Sequence, residues 1–309
     1  MRKIVGIGET VLDIIFKNNV PQAAKAGGSV LNCIVSLGRV GLSPYFISEL
    51  GNDAVGDMII AFLKDNGIDT SFVERYNNGK TALALAFLNE HNDAMYSFYK
   101  HYPLSRFSGA MPEFGENDIL FFGSFYGITK EIRSHVLNIL KRAKQQKAII
   151  IYDPNFRVAH LHELPDLLPM IIENMQYADI VRGSDEDFGF IFGSHTIIET
   201  YEKVKKYCSQ LIVTGGSKYV QVKTADYEKS YFVQKINPLS TIGAGDSFNA
   251  GLILGLLQNN ITQSGITAIT ATQWDFIVDL AIAFASDVCM SYENYISKAF
   301  VESMRKHRK

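Results

Sequence analysis

Ser240-Thr241-Ile242-Gly243-Ala244-Gly245-Asp246-Ser247-Phe248 is the stretch on which the reading of this chain turns. It follows an apolar run with strand character at 231–236 and opens a helical pattern over 246–258. Three small residues in a row at a helix start leave backbone N–H groups uncovered. Those groups, with the positive end of the helix dipole, attract an anion. A carboxylate directly after such a cradle is repelled by the anion unless it serves another group, and a hydroxyl awaiting deprotonation is one such group. The same residues also suit a tight strand-to-helix turn with Asp246 as an N-terminal cap. Taken alone, the string leaves both uses open.

Outward from it the chain alternates. Short apolar runs rich in β-branched residues fall at 4–7, 119–122, 148–152, 179–181 and 211–214, between helical patterns at 54–66, 130–146, 164–176, 199–208, 246–258 and 274–290. This is the signature of a mostly parallel sheet flanked by helices. One region breaks the alternation: 81–88 and 94–100 read as strands joined by the polar segment 89–93. With 13–20 they predict a small β-sheet lid, formed by segments 11–28 and 79–107 inserted into a single α/β domain over 1–309. One face of that strand pair is too apolar for water, which predicts either closure over a ligand or a homodimer through the lid.

Hydrophobic residues are 47% and charged residues 20% of the 309, so a sizeable core can be buried. A net charge of -2 gives no summed field for a polyanion, and no nucleic-acid partner is expected. The basic tail 305–309 reads as a solvated helix end. The first apolar run, Ile4–Ile7, is too short for a signal peptide, and no run of 18 apolar residues predicts a membrane span. Three cysteines, Cys33, Cys208 and Cys289, are odd in number and far apart, which suits the reduced thiols of a cytoplasmic protein.

The full string resembles the Asp-Thr-x-Gly-Ala-Gly-Asp motif of the PfkB (ribokinase) family of carbohydrate kinases at Thr241, Gly243, Ala244, Gly245 and Asp246. Further family marks follow in order along nearly the whole chain. Gly6-Ile7-Gly8-Glu9 with Asp13 resembles its first strand and sugar-hydroxyl acceptor, and Gly27-Gly28-Ser29 with Asn32 its substrate signature. Gly51-Asn52-Asp53 with Gly56 resembles its next turn, Asp153-Pro154-Asn155 with Arg157 its Asp-Pro-Asn-x-Arg strand end, and Thr214 with Gly216 part of its nucleotide loop.

The resemblance implies a ribokinase-like α/β fold and transfer of the ATP γ-phosphoryl group to a sugar hydroxyl, with Mg²⁺ bridging phosphate oxygens. It implies an anion hole at Gly243, Ala244 and Gly245, a catalytic base at Asp246, and sugar contacts at Asp13, Gly27, Gly28, Asn32 and Arg157. It places the nucleotide at Thr214, Gly216, Thr241 and Ser184, and the metal at Asp187. Asp153-Pro154-Asn155-Phe156-Arg157 looks fructokinase-like, favouring fructose or a related ketose or sugar acid. A nucleoside kinase of the same fold and a non-catalytic sugar- or nucleotide-binding regulator are the other readings.

The chain also departs from the pattern. Ser240 and Ile242 replace the leading Asp and the frequent Thr of the string, which removes support for a monovalent-cation site. Ser184-Asp185-Glu186-Asp187 stands for the family's Asn-x-x-Glu, and Tyr219 stands where the nucleotide loop often ends in Gly. Gly79-Lys80-Thr81 is similar to a P-loop but lacks the earlier glycine and precedes a strand pattern. His160-Leu161-His162-Glu163 has metal-like residue types without a completing ligand and reads as a solvated loop.

Overall fold

The computed structural model describes residues 2–90, 94–107 and 109–306. The chain begins with β1 (Ile4–Ile7), the hairpin of β2 (Val11–Lys17) and β3 (Val20–Gly27), α1 (Ser29–Arg39), β4 (Tyr45–Gly51), α2 (Ala54–Asp65) and β5 (Val73–Tyr76). A second hairpin, β6 (Lys80–Leu88) and β7 (Ala94–His101), precedes β8 (Ile119–Gly123), α3 (Arg133–Gln145), β9 (Ile149–Asp153), α4 (Leu164–Tyr177) and β10 (Ile180–Ser184). Next come α5 (Asp185–Phe192), α6 (Ile197–Val204), β11 (Leu211–Thr214), β12 (Tyr219–Lys223) and β13 (Glu228–Phe232). Helices α7 (Ala244–Gln258), α8 (Ala271–Cys289) and α9 (Lys298–Lys306) complete the described chain.

Nine strands form one sheet in the order β13-β12-β11-β10-β9-β8-β1-β4-β5, parallel except at β12 and β13. The β9 run shows why its strands read as unbroken apolar segments. Ile149 and Ile151 pack into the core beneath α1, α7 and α8, while Ile150 and Tyr152 pack into the core beneath α3 and α4. Successive side chains point to opposite faces, and helices cover both.

The helix α1 was not among those expected; its polar residues Asn32 and Ser36 share one face, and that face is buried against α7. The run expected at 231–236 instead pairs at Glu228–Phe232, where the antiparallel register with β12 sets Val222 against Lys229. The helix expected over 199–208 starts at Ile197, because Thr196 Oγ1 accepts the Glu199 N–H at 3.2 Å. Gly79-Lys80-Thr81 runs into β6, and no helix among the described residues is long and apolar enough to cross a membrane.

A separate four-stranded sheet, β3-β2-β6-β7, is built from 11–27 and 80–101. Its first turn, Asn18-Asn19, has φ of 52° and 61°, the type I′ geometry that matches the twist of a tight hairpin. Part of the expected 89–93 turn lies outside the described residues. Register divides this lid into two faces. Asp13, Ala84 and Phe98 stand in one row and Ile15, Ala86 and Tyr96 in the next on one face; Ile14, Phe16, Leu85, Phe87, Met95 and Tyr99 share the other.

Candidate active site

Helices α1 and α7 lie side by side and both begin at glycine N-caps, Gly28 and Gly243, without a side-chain capping bond. Ser36 and Ser247, both fully buried, approach to 3.2 Å between hydroxyl oxygens and fix that pairing. Two uncapped helix N-termini thus open on the same space, at the carboxyl ends of the parallel strands. Glycine is required at both caps. Gly28 has φ of 141° and a Cβ there would meet the Glu9 carbonyl at 2.3 Å; Gly243 has φ of 81° and a Cβ would meet the Asn294 carbonyl at 2.3 Å.

Asp246 is the third residue of α7, not its cap. Its Oδ2 accepts from Asn32 Nδ2 at 2.9 Å, so the substrate-signature asparagine of α1 holds the carboxylate. Loss of water around it pushes the Asp246 carboxyl up to about 7. The Asn32 hydrogen bond opposes that rise, the Asp153 charge adds to it, and Arg157 and Arg182 pull it back. Asp246 is therefore poised to accept a proton near neutral pH.

Behind Asp246 lies a buried network that joins Asp153 and Thr214 of the motif reading to two residues it did not include, Arg182 and Asn249. Asp153 Oδ2 accepts from Arg182 Nη1 and Asn249 Nδ2, both at 2.7 Å, and Arg182 Nη2 donates to Thr214 Oγ1 at 2.7 Å. A charged residue inside the apolar run of β10 was the signal that could have found Arg182.

On the lid, Asp13 lies against Gly27 so closely that a Cβ at Gly27 would fall 2.0 Å from Asp13 Oδ2. Burial pushes Asp13 up to about 6, with Lys25 pulling it down. The charges of Asp13 and Arg157 both reach the phenol of Tyr96, on the Asp13 face of the lid. Asn32 with Asp246, and Asp13 with Gly27, are thus two direct contacts, and Arg157 lies within electrostatic reach of both Asp246 and Tyr96.

The expected nucleotide residues are placed less uniformly. Thr214 joins the buried network through its hydroxyl, while Gly216 has φ of 57° with open space around it. Thr241 is exposed, and its carbonyl accepts the Ala244 N–H at 3.3 Å. Ser184 and Asp187 form a capping box on α5: Asp187 Oδ2 accepts from Ser184 N and Oγ, both at 2.8 Å. Burial, with the charge of Asp153, pushes Asp187 up to about 6. Tyr219 lies over Gly215 and donates to Asp185 Oδ2 at 2.9 Å. His160 and Glu163 pair with each other at the surface, and no group of three or more metal-ligating side chains occurs among the described residues.

Comparison with known proteins agrees with this architecture. The model for pfkB family carbohydrate kinases matches residues 1–274. Fructokinase-1 of Oryza sativa subsp. japonica is 26% identical over 270 residues, covering 83% of each chain. The fructokinase of Vibrio alginolyticus is 24% identical over 277 residues, covering 89% of this chain and 90% of its own. The fructokinase of Vibrio cholerae O395 in its fructose-, ADP- and calcium-bound form superposes with a TM-score of 0.83 at 21% identity, over 98% of both chains. The aminoimidazole riboside kinase of Salmonella enterica, complexed with aminoimidazole riboside and an ATP analog, gives 0.82 at 20% identity over 99% of this chain and 100% of that one. The superpositions establish a ribokinase-like α/β fold.

Proposed function

As a member of the pfkB family of carbohydrate kinases this chain is a phosphotransferase acting on a sugar hydroxyl, and we propose that it transfers the γ-phosphoryl group of ATP to fructose or a related ketose or sugar acid. The observation that carries the reading is the convergence of two uncapped helix N-termini on Asp246, a carboxylate held by Asn32 and poised near neutrality. The acceptor oxygen attacks the γ-phosphorus, its proton passes to Asp246, and the bond to the ADP oxygen breaks. The N–H groups of Gly243 and Gly245, joined by that of Ala244 when it turns from the Thr241 carbonyl, receive the charge that spreads over the transferring group. Asp13, Asn32 and Arg157 orient the sugar, with Gly27 and Gly28 letting the backbone approach it.

Thr214, Gly216, Thr241 and Ser184 border the nucleotide in this reading. Asp187 is the carboxylate that would stand on the side of a bound Mg²⁺ in this reading. The metal would supply neutralisation of the phosphate charge.

Two faces of the lid take two roles. The Asp13 face closes over the sugar and excludes water. The opposite face, where Met95 is 72% and Tyr99 58% exposed, packs on a second copy of the chain. Small-angle scattering with and without sugar and a nucleotide analogue tests both. A monomer with an unchanged profile rejects them together.

ADP release over a panel of ketoses, aldoses, sugar acids and nucleosides tests the function. Preference for fructose supports the proposal, preference for adenosine or inosine makes the chain a nucleoside kinase, and no turnover with any acceptor makes it a binding protein.

A further inference from the structure

Arg182 lies in the middle of the main sheet at 6% exposure, a place where an arginine is rarely found unless a partner holds it. It has partners on both neighbouring strands: Asp153 on β9 and Thr214 on β11, each at 2.7 Å. Its guanidinium carbon sits 5.2 Å from the Phe248 ring centroid. A Cβ on Gly245 would fall 3.1 and 3.2 Å from its two terminal nitrogens. The cation is therefore directly beneath the first turn of α7. That placement opposes folding, because the helix dipole already puts positive charge at this end. It becomes favourable when a polyanion occupies the cradle above. Phe248, Gly245, Asp153 and Thr214 fix the guanidinium, and its buried Nε makes no hydrogen bond among the described residues.

We propose that Arg182 is the positioning residue of this site, giving the Gly243–Gly245 cradle a buried cationic floor for the transferring phosphoryl group and offsetting the charge that Asp153 sets beside Asp246. The proposal rests on the kinase reading above. Asp246 faces Asn32 and Cys33 from α1, Asp153 from β9, Arg157 beyond β9, and Arg182 from β10. Asp153 disfavours its ionised form, and the two arginines favour it. Removal of the Arg182 cation leaves Asp153 unopposed and moves the deprotonation of Asp246 to higher pH. A lysine at this position keeps the charge and loses the fork that ties β9 to β11.

Full-length Arg182→Met and Arg182→Lys are compared with the unaltered chain in melting temperature, calorimetric affinity for the non-hydrolysable nucleotide AMP-PNP, and the pH profile of kcat. For Arg182→Met the expected result is at least about tenfold weaker AMP-PNP binding and an acid limb of kcat raised by about one pH unit, with Arg182→Lys restoring most of the limb. A purely structural ion pair lowers the melting temperature of both variants and leaves affinity and acid limb in place, and that result overturns the proposal. If Arg182→Met does not fold, Arg182→Met/Asp153→Asn, which removes both buried charges, replaces it; unchanged AMP-PNP affinity in that variant overturns the proposal, and a tenfold loss supports it. An unaltered chain that binds AMP-PNP but phosphorylates no acceptor defeats the kinase reading alone, since the affinity arm still decides the role of Arg182.

Discussion

Asp246→Asn separates the chemistry of this site from its folding. The α7 N-cap is Gly243, so the substitution removes no cap, and the Asn side chain can offer its carbonyl oxygen to Asn32 Nδ2 in place of the carboxylate. What disappears is the proton acceptor. General-base assistance is worth about 10²–10⁴ in rate, so kcat should fall at least about a hundredfold. Stability should move in the opposite direction. The Asp246 carboxyl is raised from 3.8 to about 7 on folding, so between those values the folded chain holds a proton that the unfolded chain has released. The unaltered protein therefore loses stability as pH rises through that window. At 1.36 kcal/mol per unit the loss is at most about 4 kcal/mol, of which about 2–3 kcal/mol falls between pH 5 and 8. Asparagine does not titrate and avoids it. Urea unfolding at pH 5, 6.5 and 8, with kcat on the same preparations, should show the Asn variant gaining stability over the unaltered chain as pH rises while remaining nearly inactive. A kcat within a few-fold of normal removes Asp246 as the base, and a stability difference that is flat with pH refutes the desolvation argument.

Gly27→Ala forces a Cβ into the space of Asp13 Oδ2, 2.0 Å away, and should raise the sugar KM about tenfold or more while nucleotide affinity stays within about twofold; an unchanged KM would detach Asp13 from the sugar. Ser240 and Ile242 in place of an acidic and a hydroxyl residue predict little activation by K⁺, and a tenfold rise in turnover on exchanging Na⁺ for K⁺ would contradict this. Arg106 Nε donates to Glu49 Oε1 at 2.8 Å, Tyr126 adds a second donor at 3.0 Å, and Glu49 is 3% exposed. Arg106→Met should therefore cost about 3–5 kcal/mol of stability, much of it recovered in Arg106→Met/Glu49→Gln; a single-variant loss below about 1 kcal/mol would show that water reaches the pair.

The sequence by itself determined the central strands, since Ile149-Ile150-Ile151-Tyr152 must be covered on both faces, and it marked a tight entry into a helix at 243–246, since three small residues precede Asp246 there. The strand pair at 81–88 and 94–100 was legible too, whereas 13–20, read as one strand, proved to hold the end of β2, the Asn18-Asn19 turn and the start of β3. Those features are local: side-chain period and turn geometry act over a few residues and are written in consecutive positions. The use of Asp246 could not be settled that way. Whether it caps a helix or takes a proton depends on Asn32, 214 positions earlier, on Asp153, and on the cation beneath Gly245. Asn249 meets Asp153 across 96 positions, and Arg182 reads from sequence only as a charge interrupting a strand. Packing of α1 against α7, and of both over the sheet, decides these contacts. Burial then converts them into a shifted carboxyl and a paired cation, because charge in a poorly solvated site is governed by neighbours that the chain order does not place side by side.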